Sequence, residues 1–130
     1  MRTKHFRDLQ IWQRSMQLAR EIYAASADFP KAEVFGLTSQ IRRCAVSVPG
    51  NIAEGHGRLT DRAFAIFIGH ARGSLFELET QLTLATDLSF IDSEKGKALI
   101  SECHELTKML NAFLKTLRKD EPSVLRAAFE

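Results

Sequence analysis

The chain has 130 residues, 45% apolar and 26% charged, with 18 Lys and Arg against 16 Asp and Glu. That size and balance predict one globular domain and exclude wholesale disorder, while seven Gly and three Pro exclude collagen-like and low-complexity chains. No apolar run approaches the roughly 18 residues of a membrane helix, and MRTKHFRDLQ has no apolar core behind its basic residues, so neither a membrane span nor a secretory signal is expected.

The apolar periodicity is helical almost throughout. Leu9, Trp12, Met16, Ala19 and Tyr23, spaced 3, 4, 3, 4, predict a first helix over about 8–28, with Ile11, Leu18 and Ile22 on a neighbouring face. Asp8 is its expected cap, and Phe29-Pro30 its limit, because a residue before Pro is pushed out of the α region. Pro30 can open a short turn in the connector. A second helix, about 36–54, is predicted from Leu37, Ile41, Cys44 or Ala45, Val48 and Ile52. Pro49 predicts a kink near 45–49, and Gly55 and Gly57 supply the stop.

The third helix, about 60–88, is capped by Thr60 or Asp61. It carries Phe64, Ile68, Ala71, Leu75, Leu78, Leu82 and Ala85, spaced 4, 3, 4, 3, 4, 3. The fourth, about 92–119, starts at Asp92 or Ser93 and repeats the pattern with Leu99, Cys103, Leu106, Leu110, Phe113 and Leu117. Pro122 follows its end, and the tail, 120–130, holds a short apolar segment of Val124, Leu125 and Phe129. No β-type alternation and no dividing linker appears. The reading is one all-α domain, 1–130, folded as an antiparallel up-down-up-down four-helix bundle.

Apolar residues exceed what one bundle needs. The first helix has its second face of Ile11, Leu18 and Ile22. The third carries Ile66, Phe67 and Phe76 off its main stripe, beside Gly69 and Gly73. Two glycines four apart, each costing about 1 kcal/mol in a helix interior, point to a second backbone coming close, from this chain or another copy. An oligomer is expected, because large exposed apolar patches are uncommon on monomers. Ile11, Leu18, Ile22, Gly69, Gly73 and Phe76 are its candidate interface.

Little points to catalysis. None of His5, His56, His70 and His104 has a Glu three residues before it, and Lys108 stands where a second His would complete the string begun by His104-Glu105. Cys44 and Cys103 fit core thiols, too few for a disulfide framework or a zinc site, so a reduced, cytoplasmic setting is expected. Gly55-His56-Gly57-Arg58 reads as a helix stop and turn before it reads as an anion loop. Glu77 and Glu79, two apart, point to different sides of a helix. The expectation is a protein without enzymatic activity, metal or cofactor.

The basic residues are more informative. Residues 1–62 carry ten Lys and Arg against six Asp and Glu, and the remainder eight against ten. Arg42, Arg43, Arg58 and Arg62 flank the second helix and the turn after it. Lys4, His5 and Arg7 precede the first, and Arg14 and Arg72 lie on helices. Grouped, these residues would make a phosphate-binding surface. Paired with Glu54, Asp61, Glu77 and Glu79, they would form ion pairs.

The strings LQIWQRSMQLAREIY, FPKAEVFGLTSQIRRCAVSVPGNIAEGHGR and GHARGSLFELETQLTLATDL resemble the four-helix bundle proteins encoded within bacterial 23S rRNA intervening sequences. The resemblance spans about 4–117 and is most specific from Gly36 to Arg43 and from Asn51 to Gly55 and Arg58. It implies a homopentameric ring. The family is also similar to the accessory variability determinant of diversity-generating retroelements, a basic pentameric barrel that binds nucleic acid and a reverse transcriptase. The resemblance carries over no catalytic residue. The expected partners are further copies of the chain, RNA or DNA, and a nucleic-acid-processing protein. A protein-binding scaffold without nucleic acid is the alternative.

Overall fold

The structure is a computed structural model that describes residues 3–118; the predicted tail, 120–130, lies outside them. Four helices follow one another: α1 (Gln10–Ser26), α2 (Leu37–His56), α3 (Asp61–Asp87) and α4 (Ser93–Arg118). Each packs on its neighbour in the chain, and α4 closes back on α1. Among the described residues there is no strand. The predicted four-helix bundle is the fold.

The stripes of α2 and α3 lie where the spacing puts them. Ile41, Val48 and Ile52 face Ile68, Ala71, Leu75, Leu78 and Leu82, all fully buried. Pro49 is buried inside an uninterrupted α2. Thr60 caps α3 by accepting the Ala63 N–H at 3.1 Å, and the Asp92 carboxylate caps α4 by accepting from Glu94 at 2.9 Å. Such caps are each worth about 1 kcal/mol. On α4 the seat expected for Phe113 belongs to Leu114, which is buried while Phe113 is half-buried. An α-helix drifts against a strict seven-residue repeat, so the spacing after Leu110 is 4 then 3, and the stripe still ends at Leu117.

Three local expectations need correction. The helix start assigned to Asp8 is a 3-10 turn, Phe6–Asp8, capped by His5, whose Nδ1 accepts the Arg7 N–H at 3.2 Å; α1 begins only after Leu9. Gly55 is not the stop of α2 but an interior residue pressed against α3, and Gly57 is the true end, its N–H reaching the Ala53 and Glu54 carbonyls. The core face of α1 is Ile11, Ser15, Leu18, Ala19, Ile22 and Ser26. Counting only apolar residues shifts that face, because Ser15 and Ser26 belong to it. Their hydroxyls donate to the carbonyls of Trp12 and Tyr23, three residues back, at 2.8 and 3.3 Å, so each is buried with its hydrogen bond made.

The turn between α3 and α4 closes on a left-handed residue, Ser89, with φ 62°. The N–H groups of Ser89 and Phe90 reach back to Thr86 and Ala85 at 3.0 and 2.8 Å. This is the double hydrogen bond of a Schellman cap, with Ser where Gly is usual. Ser89→Gly is therefore expected to raise stability by on the order of 1 kcal/mol, read as a higher denaturation midpoint.

Candidate nucleic-acid interface

Antiparallel helices gather alternate ends of the chain. The approach to α1, the end of α2, the start of α3 and the end of α4 share one end of the bundle. The His56 ring nitrogen lies 2.8 Å from the Thr3 carbonyl, Phe6 packs edge-on to His56, and His56 and Phe113 each pack edge-on to Phe64. At this end, counting connections and terminal turns among the described residues, Lys4, Arg7, Arg58, Arg62, Lys115 and Arg118 oppose Asp8, Glu54 and Asp61. The opposite end reverses the sign, with Asp28, Glu33, Asp87, Asp92 and Glu94 against Lys31 and Lys95. At 1.5 Å per residue α3 holds the two ends about 40 Å apart, several Debye lengths at physiological salt (about 8 Å each). A ligand at the basic end therefore meets that local excess, not the chain's net +2.

The four candidate arginines do not form one patch. Arg43 lies about 20 Å along α2 from Arg58 by helical rise and is exposed. Arg42 ties α2 to the end of α1: it donates to the Ser26 hydroxyl at 2.8 Å and the Tyr23 carbonyl at 3.2 Å, and its guanidinium sits 4.7 Å over the Tyr23 ring. These two hydrogen bonds serve packing between α1 and α2. Arg58 pairs with Glu54 at 2.9 Å and lies 4.6 Å over the Phe67 ring. Both Arg58 and Glu54 are half-exposed, so the pair is worth little in stability, and the stacking holds the guanidinium at the rim of the basic end. Arg62 stands in the first turn of α3 beside it.

The structure thus brings Lys4 and Arg7 to Arg58 and Arg62, and adds Lys115 and Arg118. The last two carry no motif. Their signal is topological, since in an up-down bundle the last turn of the fourth helix must lie beside the start of the first and third.

The interface candidates also divide. Ile11, Leu18 and Ile22 are 5%, 1% and 1% exposed and pack inside the chain's own core, so they leave the candidate list. Phe76 and Ile66 stay 48% exposed on α3. A Cβ added at Gly69 or Gly73 would meet nothing within 4 Å. Among the described residues no helix approaches there, so α1, α2 and α4 do not explain these glycines.

Other chemistry is contained. Burial pushes the Cys44 thiol up to about 12, with Glu77 adding to it, and burial does the same at Cys103, helped by Glu79, Cys44 and Glu102. Both are thiols, not nucleophilic thiolates, at neutral pH. His104 contacts Glu79 at 2.9 Å. Among the described residues no three His, Cys, Asp or Glu gather as metal ligands, and no helix is long and apolar enough to cross a membrane.

The molecule is a four-helix bundle with one basic end. The chain belongs to the 23S rRNA-intervening sequence protein family, which matches residues 7–112. It is similar in fold to a solved protein from Bacteroides thetaiotaomicron, described as of unknown function and from the S23 ribosomal protein family: 22% identity and a TM-score of 0.72, over 81% of this chain and 98% of that one. No curated protein matches the chain.

Proposed function

We propose that this chain is a non-enzymatic, cytoplasmic, homo-oligomeric bundle that binds RNA, alone or in a nucleoprotein, through its basic end. The observation that carries the reading is the segregation of charge: among the described residues, Lys4, Arg7, Arg58, Arg62, Lys115 and Arg118 share an end with three acids. Repetition of that end around an assembly adds the fields of the copies. With at least three phosphates neutralised per contact, affinity for a structured RNA falls with salt along a log–log slope of about −2 or steeper. No affinity at about 50 mM salt would leave a protein-binding scaffold, the reading favoured by Arg42, whose hydrogen bonds stay within the chain.

The outer face of α3 supports the assembly. Gly69 and Gly73 leave room for a second backbone, and Ile66 and Phe76 flank them, exposed. The proposed state is the homopentamer, and light scattering should then give about five times the 14.7 kDa chain mass. Gly73→Leu should break the assembly while keeping helix content, because the side chain enters open space in a single chain and a filled contact between copies. A wild-type monomer at micromolar concentration would contradict the assembly.

A further inference from the structure

The seam between α1 and α4 is the most loosely packed of the four. It holds a groove of about 420 Å³, walled by Leu9 and Ile11 at the start of α1 and by Met109, Ala112, Phe113 and Thr116 on α4. Its walls are mostly apolar, although it opens on the surface. Past Gln10 and Met109 it continues into a shallower recess of about 300 Å³. An apolar trough of this size is a seat for two or three side chains.

We propose that the occupant is the chain's own C-terminal segment, residues 123–130. The described chain ends at Arg118, two residues past Thr116 on the groove wall, so the point from which the segment is tethered lies within one helical turn of the trough. Pro122 cannot continue α4 without losing a backbone hydrogen bond and clashing with the preceding turn, so it marks where the chain can change direction. Beyond it, Val124, Leu125, Ala128 and Phe129 are spaced 1, 3, 1, the spacing of an amphipathic apolar face. That face supplies the apolar groups the trough lacks. Twelve residues follow Arg118 and reach as much as about 40 Å when extended, whereas the groove and its recess run about 15 Å along α1. The family matches only residues 7–112, so the segment lies outside the part of the chain that the match covers. The proposal does not depend on RNA binding.

Disulfide trapping in the full chain tests it. Ala112→Cys is combined in turn with Val124→Cys, Leu125→Cys, Ala128→Cys and Phe129→Cys; the native Cys44 and Cys103 are buried and stay out of the reaction. One or two of the four pairs should close at least tenfold faster than the others, within single chains on a non-reducing denaturing gel. Equal slow closure of all four would overturn the proposal, as would cross-links between chains, which would make a second copy the occupant. Hydrogen exchange on Phe129→Asp gives an independent reading. Amides of residues 9–13 and 109–116 should exchange at least threefold faster than in wild type, with those of α2 unchanged. Unchanged exchange along the groove would overturn it.

Discussion

Leu78→Ala and Leu110→Ala are each expected to destabilise the bundle by about 2–5 kcal/mol, the range for a leucine removed from a core that cannot collapse around the gap. Both side chains are fully buried, in the middle of α3 and α4. Each carries the transfer free energy of its lost methyl groups and, in addition, the cost of a cavity bounded by two helices whose backbones are fixed by their own hydrogen bonds. Lys108 is the matched control. It is exposed on α4, and its ion pair with Glu105 at 3.5 Å joins exposed side chains. Lys108→Ala should change stability by no more than about 0.5 kcal/mol. Chemical denaturation of the three variants checks this, and similar midpoints for all three would mean that the helix registers are wrong.

Gly55→Val is expected to be as damaging, by overfilling. A Cβ at position 55 would lie 2.7 Å from the Phe67 Cβ and 2.8 Å from the Phe64 Cδ1. Neither neighbour can give way. The Phe67 Cβ moves only with the α3 backbone, and the Phe64 ring is 1% exposed and held between His56 and Phe113. Overpacking of this kind costs about 1–3 kcal/mol for added methyl groups, and here one contact is with a Cβ, which cannot swing away by a rotamer change. Gly55→Ala should fall near the low end of that range and Gly55→Val at or above its top. Gly50→Ala is the contrast: nothing lies within 4 Å of an added Cβ there, and replacing an interior helix glycine favours the helix by roughly 0.5–1 kcal/mol. Thermal denaturation should therefore move in opposite directions at the two glycines.

Particular residues show how far the sequence could be read. Phe64 to Ala85 on α3 were legible because buried apolar positions in a long helix repeat with nothing to interrupt them. The face of α1 was not, because Ser15 and Ser26 behave as core once their hydroxyls bond backward, and polarity alone does not reveal that. Gly55 looked like a helix stop because a glycine before a turn usually is one. Its role depends on Phe64 and Phe67, which come from a different helix. At the candidate site Arg58 and Arg62 were legible as a pair near a turn. The link to Lys4, Arg7, Lys115 and Arg118 required the alternation of helix directions to be followed through. The packing partners of Arg42, Ser26 and Tyr23, are not legible in the sequence because they lie 16 and 19 residues away.

The central claim is that the basic end holds RNA, and one paired titration tests it most directly. Affinity for a structured RNA is measured against salt for wild type, for Arg7→Glu/Arg62→Glu/Lys115→Glu, and for Lys31→Glu/Lys95→Glu at the opposite end, with the mass of each sample checked by light scattering. The account predicts that the basic-end variant keeps its mass, loses at least tenfold in affinity at about 100 mM salt, and shows a salt slope flatter by about 2, while the opposite-end variant stays within about threefold of wild type. Equal losses from both variants, or a basic-end variant that binds like wild type, would contradict it.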